Sequence, residues 1–194
     1  MRLVRDDESQ GAAPEVDGVL GSDGLPLPGV DASKWLGAPT PDGLRSAFGA
    51  FPSGVAALCA EVEGVKRGLA ATSFTVGVSF DPPLVVCSVQ NSSTTWPHLR
   101  DAARIGVSVL GSGHESVCLE LARSGEDKFA HLTAIPAAGA LFIAGAPVWL
   151  ECSIVTETPV GDHTLVVLEV DALSVLPDED PLIYHAKQFR RLAG

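Results

Sequence analysis

The sequence has little positive charge. Thirteen Lys and Arg stand against 24 Asp and Glu among 194 residues, a formal net charge of −11. Such a surface repels a nucleic-acid backbone or an anionic membrane, so neither is expected as a partner. Aromatics are scarce as well, at 6%, whereas glycine (20) and proline (14) are plentiful. That balance suits a turn-rich sheet protein better than a helical bundle. The four cysteines, Cys59, Cys87, Cys118 and Cys152, lie far apart, with no pair at metal-ligand spacing. Where a signal peptide needs a long apolar run, the N-terminal region carries Asp6, Asp7 and Glu8. The expectation is therefore free, mostly buried thiols in a reducing cytoplasm. The longest apolar stretch, 137–150, is interrupted by Gly139, Gly145 and Pro147, and is too short and broken to span a bilayer. No GxGxxG, P-loop or GxSxG occurs, so no Rossmann-type dinucleotide site is expected.

What remains is enough apolar sequence for one domain with a real core. Residues 1–39 are rich in Gly, Pro and Asp without apolar periodicity, and are expected to be a flexible arm ahead of a domain over 40–194. Thr40 and Pro41 suit the cap and first position of a helix carrying Leu44, Ala47, Phe48 and Phe51 at helical spacing. Strands follow over 55–61 and 65–71, joined by Val62-Glu63-Gly64, then over 74–80. Asp81-Pro82-Pro83 turns the chain into a strand over 84–89. Thr94 or Thr95 is expected to cap a helix with Pro97 in its first turn and Trp96, Leu99 and Ala103 on one face. A strand over 104–110, a helix over 114–123, an alternating strand over 147–158 and a central strand over 164–173 complete the pattern. At least six strands with hairpin connections argue for an antiparallel barrel, though pattern alone does not separate it from a sandwich.

Several short segments carry possible chemistry. Asn91-Ser92-Ser93-Thr94 ends a strand and opens a helix; small hydroxyl residues there suit a phosphate, or form an ordinary helix cap. Ala71-Thr72-Ser73-Phe74 places small and hydroxylated residues where backbone can approach a flat ring, or is a strand end with a core Phe. Phe51-Pro52-Ser53-Gly54-Val55 turns a helix into a strand, with Gly54 at the turn. In Asp127-Lys128-Phe129-Ala130, Phe129 is by base rate a core anchor. In Gly161-Asp162-His163-Thr164, Asp162 can hold one ring nitrogen of His163 and leave the other for a ligand. His98, His114, His131 and His185 make no metal-binding spacing with it, so no metal is expected.

In this order, and together with Asp81-Pro82-Pro83-Leu84-Val85, these motifs resemble the flavin reductase family, from about residue 48 to 190. The resemblance implies an antiparallel Greek-key split β-barrel that binds FMN or FAD, and selects it over the sandwich. It implies an NAD(P)H:flavin oxidoreductase using NADH or NADPH, a homodimer with flavin at the subunit junction, and a partner monooxygenase supplied by diffusing reduced flavin. It places Pro52, Ser53, Gly54, Ala71, Thr72, Ser73, Phe74, Asn91, Ser92, Ser93, Thr94 and Phe129 at the flavin, and His163 at the nicotinamide side as the catalytic residue. Two positions depart from the family pattern. Ala70 stands where a threonine is usual, and His131 where a small residue is usual. With them go two alternatives: a tightly held flavin acting directly on an organic substrate, or a flavin-binding protein without turnover.

Overall fold

Alternation and turn chemistry build the first hairpin. In the computed structural model, which describes residues 37–123, 125, 128–176 and 179–192, strands β2 (Ala56–Val62) and β3 (Val65–Ala71) pair through Glu63 and Gly64. Both turn residues have positive φ, 54° and 76°, the conformation that matches the twist of a two-residue hairpin. The expected arm over 1–39 lies, apart from 37–39, outside the described residues. By internal contacts the chain divides into Met1–Leu44 and Arg45–Gly194. Helix α1 (Pro41–Gly49) starts as expected, with Thr40 Oγ1 accepting the Gly43 N–H at 3.1 Å.

After the two-residue strand β1 (Ser53–Gly54) and the β2–β3 hairpin come β4 (Thr75–Phe80), β5 (Pro83–Gln90), helix α2 (Trp96–Leu99), β6 (Ile105–Val109) and helix α3 (Glu115–Ala122). Then follow β7 (Ala134–Ala137), β8 (Ala140–Ile143), β9 (Val148–Val160), β10 (His163–Val175), β11 (Ile183–His185) and β12 (Gln188–Arg190). All pairings are antiparallel. Strands β3, β2, β6, β9, β10 and β5 follow one another in that order. Their inward side chains, among them Leu58, Ile105, Val107, Cys152, Val166, Leu168 and Cys87, form one buried cluster. This is a barrel interior. The ladder does not close between β3 and β5. There the gap is bridged by Ser73, whose hydroxyl donates to Ser88 O at 2.7 Å and accepts from Ser88 N at 3.3 Å. The result is the expected split barrel.

A second core covers the outer face of β2. Ala57 and Cys59 pack there with Leu121 of α3, Phe129, Leu141 and Ile143 of β8, and Leu182. Gly106 on β6 lies so close to β8 that an added Cβ would sit 2.2 Å from Leu141 O, so only glycine fits. His114 precedes α3 and is structural. Its Nδ1 accepts from Gly111 N at 3.1 Å, which leaves Nε2 to donate to Ala144 O at 3.1 Å.

Helix α2 differs from expectation. It is a single turn, and Ala103 lies beyond it; Ala102 packs on the barrel interior instead. Thr95 holds the cap position in a helical conformation (φ −91°, ψ −40°), from which its hydroxyl makes no capping bond. Ser93, three residues before Trp96, supplies that bond, its Oγ accepting the Trp96 N–H at 3.2 Å.

Candidate functional site

A cavity of 540 Å³ opens where the split in the barrel meets its two flanking helices. The end of β3 contributes Leu69, Ala70 and Ala71, followed by Thr72 and Ser73. Across the seam stand Ser88, Val89 and Gln90 of β5. The loop Ser92, Ser93, Thr94 and Thr95 forms one wall, the end of α3 with Lys128 another, and His163 the far rim. Seven of the sequence-expected residues thus meet in one place: Ala71, Thr72, Ser73, Ser92, Ser93, Thr94 and His163.

The other expected residues stand elsewhere. Asn91 is occupied by the protein itself. Its backbone N–H donates to Asp162 O at 3.0 Å, its Nδ2 reaches Gly161 O at 3.4 Å, and its Oδ1 accepts from Thr164 Oγ1 at 2.9 Å. Asn91 therefore fastens the β9–β10 turn to the hydroxyl loop. Phe74 packs against the barrel interior, and Phe129, 8% exposed, lies in the second core against Gly68. Ser53 and Gly54 pair with Tyr184 and Ile183 in a separate three-stranded sheet, and with Pro52 they do not line the cavity. His131 is exposed and also outside it, whereas Ala70 is on the wall.

The rim histidine is held as its neighbour suggests. His163 Nδ1 lies 2.7 Å from Asp162 Oδ1, and this hydrogen bond is the main reason the Asp162 carboxyl is held below its ordinary value. The ionised carboxylate accepts, so Nδ1 carries a proton and Nε2 is left facing away from Asp162. Asp162 is 94% exposed, so the contact orients the ring more than it stabilises the fold. Gly161 makes the turn possible with φ 61°.

Lys128 was visible in its motif, but its role was not. Its Nζ donates to Leu121 O at 2.9 Å, Thr95 Oγ1 at 3.1 Å and Gly68 O at 3.4 Å. One ammonium so ties the end of α3, the start of α2 and β3 together behind the cavity. Partial burial lowers its pKa. Beneath it, burial pushes the Cys59 thiol up to about 12, with Lys128 opposing the shift, so Cys59 is an inert neutral thiol. Glu157 on β9 is a further residue that sequence reading did not find. It accepts from Trp96 Nε1 at 2.8 Å and pairs with Arg100, anchoring α2. Nothing in the local sequence marks it, because its partners lie 61 and 57 residues away.

Among the described residues the cavity lining has no carboxylate and no thiol. It offers hydroxyls, an amide, backbone groups, two cations and one imidazole. That set suits an anionic ligand with a flat, hydrogen-bonding body, and among the described residues it contains no paired acid and base for hydrolysis. The volume falls within the about 300–1,000 Å³ typical of small-molecule sites.

Comparison with known proteins adds four findings. The flavin reductase like domain family matches residues 48–193. A flavin reductase of Pseudomonas putida is 34% identical over 147 residues, covering 75% of this chain and 86% of that protein. Among solved structures, the NADH:FAD oxidoreductase of Streptomyces globisporus C-1027 in complex with NAD and FAD fragments superposes with a TM-score of 0.75 at 32% identity, covering 81% of this chain and 98% of that one. The styrene monooxygenase flavin reductase of Pseudomonas putida S12 follows with a TM-score of 0.69 at 30% identity, covering 77% and 97%.

Proposed function

The chain belongs to the flavin reductase-like family, and on that premise we propose that it is an NAD(P)H:flavin oxidoreductase that reduces FMN or FAD for a partner monooxygenase. The observation that carries this reading is the 540 Å³ cavity at the barrel seam, where hydroxyls, a cationic wall and an oriented imidazole converge. That donor set fits a flavin. A flavin held there would supply the redox chemistry, as the acceptor of hydride from a nicotinamide.

The protein's own tasks are binding, orientation and exclusion of water. The free hydroxyl proton of Ser93, whose oxygen already caps α2, can donate to a phosphate oxygen, with Ser92 and Thr94 beside it. Ala70, Ala71 and Thr72 offer a low wall and strand-end backbone for a ring system. Ser73 spends its hydroxyl on Ser88, so its contribution to a ligand is through backbone. Nε2 of His163 faces outward from the Asp162 contact and is suited to the nicotinamide amide. Asn91 acts by holding that turn in register with the loop.

The same reading includes a homodimer. The edge strand β4 exposes Val76, Val78 and Phe80, the last 90% exposed, a surface of the kind that pairing covers. It also places the protein in the cytoplasm, which the free cysteines Cys59, Cys87, Cys118 and Cys152 support, three of them buried. The test is NADH oxidation with and without added free flavin. Turnover that rises with free FMN or FAD is the expected result. A yellow protein that NADH does not bleach would overturn the proposal.

A further inference from the structure

Behind the hydroxyl loop lies a second, smaller cavity of 280 Å³ whose wall is cationic. Lys66 and Arg67 of β3, His98 of α2 and Lys128 line it, and it shares Thr94, Thr95 and Lys128 with the larger cavity. In a chain with only 13 Lys and Arg against 24 acidic residues, three of those cations in one hollow are a local reversal of sign. Glu61 stands opposite Lys66 across the β2–β3 ladder. Even so, among the described residues Lys66, Arg67 and His98 make no ion pair. Unpaired cations around a concave, partly enclosed space are the condition under which an anion is held strongly.

The shared wall says how such an anion would be connected. Lys128 donates to Thr95 Oγ1, so the Thr95 hydroxyl must direct its own hydrogen elsewhere, at the boundary between the two cavities. A ligand whose first phosphate rests at Ser93 and Thr94 meets Thr95 next and the cationic hollow after it. From this continuity we infer that the smaller cavity receives the second phosphate of FAD, and that Lys66 and Arg67 make the protein select FAD over FMN. The inference rests on the placement of flavin in the larger cavity. A diphosphate spans the shared wall, whereas the single phosphate of FMN ends at it. The nicotinamide dinucleotide carries the same diphosphate chemistry, but would enter at the rim formed by His163, which lines the larger cavity and not the smaller.

Calorimetric titration of the full chain with FAD, FMN and riboflavin tests this, with wild type compared with the Lys66→Gln, Arg67→Gln double variant. Lys66 is exposed and Arg67 half-buried, and a thermal melt confirms that the variant folds. The expected result is a loss of about tenfold or more in FAD affinity, with FMN and riboflavin unchanged. Equal losses for FAD and FMN, or no loss for either, would overturn the inference. So would a variant that keeps its FAD affinity but shows a raised KM for NADPH or NADH, because the cations would then serve the hydride donor. Failure of wild type to bind any of the three flavins would instead refute the placement of flavin in the larger cavity, and this inference with it.

Discussion

Replacing Ser93 by alanine removes one oxygen with two duties. The oxygen accepts the Trp96 N–H at 3.2 Å, which starts α2, and its hydrogen is available to a flavin phosphate. Loss of a cap costs about 1 kcal/mol, and 1 kcal/mol lowers Tm by about 2–4 °C in a domain of this size. Loss of a donor to a charged oxygen costs about 1.5 kcal/mol, or roughly tenfold in Kd. A second variant separates the two. Aspartate is a good cap but brings a negative charge to the phosphate, so Ser93→Asp should recover the melting temperature and bind flavin more weakly than Ser93→Ala. The measurements are a thermal melt without ligand and the FMN Kd for all three proteins. A Ser93→Ala protein with lowered Tm and unchanged FMN Kd would show that the loop only caps a helix.

The other predictions concern the rim and the assembly. His163→Ala should raise KM for NADH and slow anaerobic flavin bleaching in stopped flow, while the flavin Kd stays put; a misplacement of about 1 Å can cost on the order of 10²-fold in rate, so wild-type bleaching would refute an orienting role. Asn91→Ala removes the side-chain bonds to Gly161 and Thr164 and should produce the same kinetic defect in weaker form, about tenfold, because it loosens the turn without removing the ring. An effect of Asn91→Ala on flavin Kd alone would mean that it touches the flavin after all. Lowering the pH through the depressed Asp162 pKa should release His163: the contact is complete above the ordinary carboxylate value of 3.8 and is lost only as pH falls through the lowered one. Between pH 5 and 8 the KM for NADH should therefore carry no ionisation from Asp162, and its absence from Asp162→Asn difference profiles is the check. Sedimentation at micromolar concentration should show a dimer, and an active monomer would refute the role given to the β4 edge.

The elements that sequence made legible are those with local causes. The β2–β3 hairpin follows from alternation around Glu63-Gly64, and β9 from the inward series Val148, Leu150, Cys152 and Ile154. Strands β7 and β8 were not legible. Ala140, Leu141, Phe142 and Ile143 are all buried, so no alternation marks them, and the turn before them uses Ala138 and Gly139 at positive φ. Strands β11 and β12 are three residues each, too short for any period. At the site, the hydroxyl loop and His163 stood out through their own chemistry. Lys128 and Glu157 did not, since what defines them is a set of partners reached only after folding. Gly68 and Thr95 lie 60 and 33 residues from Lys128. Phe129 shows the converse, a motif residue whose neighbours, Gly68, Cys59 and Leu121, make it core.

A barrel whose ladder is interrupted at one place has one compliant seam. Between β9 and β10 twelve residue pairs share a ladder, and parting them would break many bonds together. Between β3 and β5, among the described residues, the join is the two bonds of Ser73 to Ser88 and the pairing of Thr75 with Val86 just beyond. Both sides of this joint also contribute to the apolar filling, Leu69 and Ala71 from β3 and Val85, Cys87 and Val89 from β5, so only a small widening leaves the interior undisturbed. For the flavin site proposed above, which would take one flat ring and then a second upon it, a gap that can adjust slightly is an advantage, and the interrupted ladder supplies it.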